Sequence, residues 1–104
     1  MKYVVSIAPE IRNELQDISN YIAEMSEDKR LGDRVVKAIV QKILSLETLP
    51  KAHSLYPDDR MRQVGIRYVT VNRWVILFSV DDESGIVELH HVFHEFRNAS
   101  RFFN

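Results

Sequence analysis

Cysteine is absent from this chain, so neither a disulfide frame nor a thiolate metal site can form. Glycine and proline occur only three times each, and there is no glycine-rich phosphate loop and no low-complexity segment. No apolar run approaches the ~20 residues of a membrane span. The opening Met1–Ala8 stretch is too short for a secretory signal and runs into charged residues, so a cytoplasmic location away from membranes is expected. A surplus of either charge is also missing: 14 Lys and Arg stand against 15 Asp and Glu, for a net charge of −1. Tight nucleic-acid binders usually carry a basic surplus. The near-neutral balance argues against generic RNA binding, whose affinity rises with the number of phosphates neutralised.

What is present fits one globular domain over residues 1–104, with 45% hydrophobic and 28% charged residues. Residues 1–50 hold seven Lys/Arg and eight Asp/Glu, and residues 51–104 hold seven of each. All four histidines, His53, His90, His91 and His94, lie in the second half. Its cations are Arg60, Arg62, Arg67, Arg73, Arg97 and Arg101, with Lys51 the only lysine.

Periodicity predicts the elements. Tyr3, Val5 and Ile7 alternate with Lys2, Val4 and Ser6, as in a short strand. Pro9 suits a first helical turn, and Glu10 suits its positive end. Ile11, Leu15, Ile18, Ile22 and Met25 recur at helical steps and predict a helix over about 9–25. A second helix is predicted over about 31–48, with Leu31, Val35, Val36, Ile39, Val40, Ile43, Leu44 and Leu46 as its stripe. Leu49-Pro50 ends it. Lys51–Met61 has no period, and Pro57-Asp58-Asp59 is turn chemistry, so an exposed loop is expected. Three strands follow at about 62–71, 73–80 and 86–94, parted by Asn72 and by Asp81–Gly85. Links this short make them antiparallel. The order β-α-α-β-β-β is an α+β fold: an antiparallel helical hairpin packs on one face of a small antiparallel sheet. The rest of the chain only partly covers the other face. The tail ends in Phe102-Phe103, which would pack back or await a partner.

Arginines and histidines occupy strand positions between residues 62 and 97 where a plain core would be apolar. Charge buried without a partner is costly, so this block is where a partner or substrate would be met. Arginine favours planar, bidentate contact with carboxylate or phosphate. Surface salt bridging is the alternative, and for Arg67 a pair with a helix carboxylate. Tyr68, Trp74, Phe78 and Phe93 could stack bases, although strand aromatics are more often core. On a regular strand His90 and His94 share a face ~13 Å apart, with His91 on the other face. Such imidazoles cannot share one zinc at ~2 Å bonds, so no metal or cofactor is expected. No Ser/His/Asp nucleophile pattern appears.

In combination these segments resemble the RelE/ParE superfamily of small bacterial toxins from type II toxin–antitoxin modules. The chain opens on a Tyr3-Val4-Val5-Ser6 strand, and its first helix ends near Tyr21-Ile22. Its second helix closes on Ile43 to Pro50, similar to the family's I-x-x-L-x-x-x-P ending. Gly65 to Val71 resembles G-x-R-x-l-x-v. Trp74 to Asp81 stands where the family has y-x-i-x-Y-x-v-d, and Val92 to Arg97 resembles v-x-H-x-x-R. The resemblance covers residues 2–98.

The resemblance implies a growth-inhibiting toxin neutralised by a cognate antitoxin, as a homodimer or as a hetero-oligomer with that antitoxin. RelE-like members cut mRNA on the ribosome; ParE-like members, of the plasmid-stabilisation branch, poison DNA gyrase. RNA cleavage by 2′-hydroxyl attack needs a base, cations at the transition state and an acid. The Arg that RelE-like enzymes carry three residues before the aromatic of strand three falls here on Val75, which neither donates nor titrates. If the chain were such a ribonuclease, His94 would serve as acid or base and Arg97 as phosphate clamp. Asn72 to Phe78 resembles the ParE-like branch, in which Arg62, Arg67, Arg73 and Arg101 would meet the target or the antitoxin. The antitoxin is expected to lie as an extended or helical segment over apolar grooves of the helical hairpin and sheet. Its acidic groups would meet Arg67, Arg73, Arg97 or Arg101. A non-toxic protein-binding module with this fold is the third reading.

Overall fold

The structure is a computed structural model and describes residues 2–96. Strand β1 (Val4–Ser6) leads into helices α1 (Pro9–Ser26) and α2 (Lys29–Leu44). Two 3₁₀ turns, Ser45–Glu47 and Pro50–Ala52, precede a short helix α3 (Asp59–Gln63). Strands β2 (Arg67–Val71), β3 (Trp74–Asp81) and β4 (Ile86–His94) complete the α+β fold.

Pro9 sits in the first turn of α1, and Glu27 leaves its end in the left-handed region at φ 56°. Asp28 caps α2 by accepting a hydrogen bond from the Arg30 amide at 3.0 Å. The helices then pack as a hairpin. A Cβ on Gly32 of α2 would lie 2.4 Å from the Ser19 carbonyl oxygen of α1, so only glycine allows this crossing. Ile11, Leu15 and Ile18 of α1 and Ile39 and Ile43 of α2 are buried as their spacing predicts. The stripe is narrower than predicted. Met25 is 71% exposed on the last turn of α1, and Leu31 and Leu44 are exposed at the two ends of α2. Helix α2 also stops at Leu44 and tightens into a 3₁₀ turn, which turns Leu46 into the core.

The sheet order is β1-β4-β3-β2. The last three strands are antiparallel as predicted. β1 instead pairs parallel with β4, Val5 opposite Val87, which makes the sheet mixed rather than antiparallel. Parallel pairing requires a long connection, and everything between β1 and β4 supplies it. Asn72 and Arg73 form the β2–β3 turn, both at positive φ (48° and 70°). The β3–β4 turn is held by Asp81, whose carboxylate accepts the Glu83 and Ser84 amides, and closes on Gly85 at φ 70°.

Alternation along β3 splits the core in two. Ile76 and Phe78 meet the helices together with Ile11, Ile39 and Ile43. Val75 and Leu77 join Met61, Ile66 and Phe93 on the other face. Each side chain of this size stabilises by about 1.5–3 kcal/mol when fully buried. The second cluster is covered by the segment predicted to be a loop. There Asp58 accepts the Arg60 and Met61 amides and nucleates α3, which drives Met61 into the core. For this reason β2 starts at Arg67 rather than near 62.

A bulge opens between Leu77 and Phe78: Leu77 pairs with His91, but Phe78 pairs with Leu89. His90 is the extra residue. The strict alternation assumed for the histidines is therefore broken. Leu89 and Val92, three apart, both enter the helix-facing core.

Candidate functional site

Glu14, Asp17 and Tyr21 recur at helical spacing along one flank of α1. That flank faces the point where β3 begins and β4 ends. Ile18 of the same helix and Trp74, Val92, Phe93, His94 and Phe96 complete the lining of a cleft of about 700 Å³. Trp74 pairs with His94 across the strands, with ring centroids 5.2 Å apart and planes nearly perpendicular at 87°. The Phe96 ring lies 5.1 Å beyond His94, and its amide donates to His94 Nδ1 at 3.4 Å. Arg73 closes the rim: its guanidinium sits 5.9 Å above the Phe96 ring and 3.4 Å from the Glu95 carboxylate. Tyr21 and Phe96 are largely exposed.

The three strand histidines have three separate roles. His90 Nε2 bonds the Ser79 hydroxyl at 2.8 Å. Burial pushes its pKa down, with nearby Glu88 opposing and His91 adding to the shift. His91 Nδ1 meets Glu14 Oε1 at 3.0 Å, while Glu14 Oε2 accepts the Val92 amide at 3.3 Å, so one carboxylate ties α1 to β4. His94 belongs to the aromatic lining. His53, edge-on to Phe78, is also held below its usual pKa by burial and then by Lys42 and Arg67.

The predicted arginines do not form one cluster. Arg62 is exposed on α3 rather than on a strand. Arg67 is half-buried and donates to the His53 carbonyl at 2.6 Å, not to a helix carboxylate. Among the described residues, Arg73 is the one of these arginines that borders the cleft. Arg97, Arg101 and Phe102-Phe103 lie outside the described residues. Val75 is buried in the second core cluster. The sequence reading missed Glu14, Asp17 and Tyr21 as cleft residues. The available signal was their common helical flank, polar beside the Leu15–Ile18 stripe.

A second depression of about 550 Å³ runs between the helices on the opposite flank of α1. Leu15, Val36 and Val40 form its floor; Arg12 and Lys37 stand on its rim with Asp33, whose carboxylate accepts the Ser19 hydroxyl at 3.2 Å. Elsewhere Asp82 receives Tyr3 Oη at 2.7 Å and Lys51 Nζ at 2.8 Å, which ties the N-terminal segment and the post-helical turn to the β3–β4 hairpin. Lys51 and then Tyr3 hold the Asp82 carboxyl below its ordinary pKa. Among the described residues, no helix is long and apolar enough to cross a membrane.

Comparison with known proteins matches this architecture. The fold is similar to a chain of the RelBE2 toxin–antitoxin complex from Mycobacterium tuberculosis, with a TM-score of 0.65 and 19% identity over 90% of this chain and 99% of that one. It is also similar to a chain of the chromosomal ParDE toxin–antitoxin system from P. aeruginosa, with a TM-score of 0.73 and 13% identity over 89% of this chain and 96% of that one. No curated protein matches. The family model for the ParE toxin of the type II toxin–antitoxin system parDE matches residues 5–99, and the chain therefore belongs to the ParE toxin family.

Proposed function

We propose that this toxin arrests growth through a protein target, DNA gyrase, and that it does not cut mRNA. The observation that carries this reading is the cleft around His94. Its walls carry the carboxylates of Glu14 and Asp17, and the one cation that borders it among the described residues, Arg73, is engaged by Glu95. A scissile phosphate placed there would meet like charge. Phosphoryl chemistry instead needs converging cations, and removal of one such group typically costs ~10²–10³ in rate. Val75, at the position of the usual RelE-like arginine, is buried among Met61, Leu77 and Phe93. Arg62 and Arg73, exposed on separate elements, and Arg101 in the tail are assigned to recognition. Arg67 contributes the part of its guanidinium not committed to His53.

The neutralising antitoxin is assigned to the depression between α1 and α2. Its apolar floor suits an amphipathic segment, and Arg12 and Lys37, which outnumber the Asp33 carboxylate already engaged by Ser19, favour acidic flanks on that segment. Expression of the chain without antitoxin, with DNA supercoiling and mRNA 5′ ends followed in the same cells, tests the target. Growth arrest with altered supercoiling and intact mRNA is expected; new mRNA ends at ribosomes would restore the nuclease reading. Reversing Arg12 and Lys37 to Glu should leave toxicity in place and abolish rescue by the antitoxin.

A further inference from the structure

The α1–β4 cleft has a chemistry that differs from the arginine-based recognition discussed above and from the groove on the other flank of α1. We infer that it is a receptor for a cationic side chain, lysine or arginine, presented by a partner protein between apolar neighbours. The inference is independent of which target the toxin attacks.

Three observations converge. First, the lining is largely aromatic: Tyr21, Trp74, Phe93, His94 and Phe96 make up five of its nine residues. Ring faces attract a cation through their quadrupole, and aromatic boxes are a recurrent way to hold ammonium and guanidinium groups. Second, the charge on the α1 wall is negative. Glu14 is engaged by His91 and the Val92 amide, but Asp17 is exposed and makes no ion pair or hydrogen bond among the described residues. An exposed ion pair alone contributes little, so the selectivity rests on Asp17 acting together with the rings. Third, the rim already holds one guanidinium in this way: that of Arg73, above the Phe96 ring and against the Glu95 carboxylate. The incoming cation would repeat that arrangement deeper in the cleft, between Asp17 and Tyr21 on one side and Trp74 on the other. A volume of about 700 Å³ accommodates a long side chain with its apolar flanks.

Trp74 is the only tryptophan of the chain, so its fluorescence reports on this cleft alone. The full chain would be titrated with the capped peptides Ac-Leu-Arg-Leu-NH₂, Ac-Leu-Lys-Leu-NH₂, Ac-Leu-Gln-Leu-NH₂ and Ac-Leu-Glu-Leu-NH₂. Saturable emission changes are expected for the Arg and Lys peptides, at least fivefold tighter than for Gln, with Glu weakest. Asp17→Asn and, separately, Tyr21→Ala should each weaken the Arg peptide at least threefold. Both positions are exposed, and circular dichroism would check that each variant is folded. Equal affinity for the Gln and Arg peptides would overturn the proposal, as would an Asp17→Asn variant that binds as the native chain does. Binding that emerges only after Arg97→Gln and Arg101→Gln would assign the cleft to the chain's own cations and overturn the partner assignment. A Trp74 emission that changes with protein concentration in the absence of peptide would overturn it in favour of a second copy.

Discussion

The Trp74 and His94 rings meet edge to face at 5.2 Å, each at the end of its strand, and this pairing places His94 in an aromatic wall. The His94 ring also contacts Phe96, whose amide bonds Nδ1. A histidine packed in this way shapes a binding surface, whereas a general acid needs a leaving-group oxygen within reach of its N–H and a general base a substrate proton within reach of its lone pair.

The substitution His94→Ala should therefore leave the mRNA 5′ ends of expressing cells the same as with the native chain. It should also cost stability, with a loss of roughly 0.5–1.5 kcal/mol for the aromatic contact. Mapping of mRNA ends and urea denaturation check the two halves separately. New mRNA ends produced by the native chain and lost in a folded His94→Ala variant would restore His94 as an acid or base.

Arg73 occupies the second position of a two-residue hairpin turn at φ 70°, where glycine is normally favoured. An L-residue in this left-handed region costs roughly 1–2 kcal/mol. The exposed Arg73–Glu95 pair returns only a fraction of that. Arg73→Gly should raise stability by about 1 kcal/mol and weaken toxicity. Thermal melting and growth inhibition should thus move in opposite directions. A variant that is stabilised and fully toxic would remove Arg73 from the recognition set.

At the helix crossing, Gly32→Ala sets two effects against each other. Alanine favours a helix over glycine by up to ~1 kcal/mol. The new Cβ, however, would meet the Ser19 carbonyl oxygen at 2.4 Å, and backbone cannot yield as a side-chain tip can. Overpacking of this kind costs about 1–3 kcal/mol, so a net loss of stability is expected in denaturant titration.

Acid should destabilise the fold through His90 and His53. Burial holds both below the ordinary histidine value of 6.5. The unfolded chain therefore takes up protons more readily than the folded one. The stability tied to the neutral rings is complete above that value and is lost as pH falls through the lower folded values. Melting temperature should drop as pH is lowered below 6.5. His90→Gln should flatten the slope in part, with His53 retaining the remainder.

Much of the fold was legible in short-range pattern. The apolar steps from Ile11 to Ile22 and the alternation of β3 mark which side chains meet the core, because helix and strand periods are local properties of the backbone. Helix α3 was legible in principle, since Asp58 stands where a cap would stand, but a five-residue helix leaves too little apolar period to register. The site was far less legible. Glu14 and Asp17 are separated from His94 by nearly the whole chain, and nothing in their local pattern marks the encounter.

The sequence alone therefore determined the order of the elements, the two amphipathic helices, the antiparallel hairpins and the family motifs, all of which rest on interactions between near neighbours. Tertiary structure decided three things: the parallel docking of β1 on β4, the bulge that shifts His90 and resets the faces of β4, and the meeting of α1 carboxylates with strand aromatics. Each depends on which distant surfaces exclude water together. That free energy belongs to the assembled chain and is written in no single segment of it.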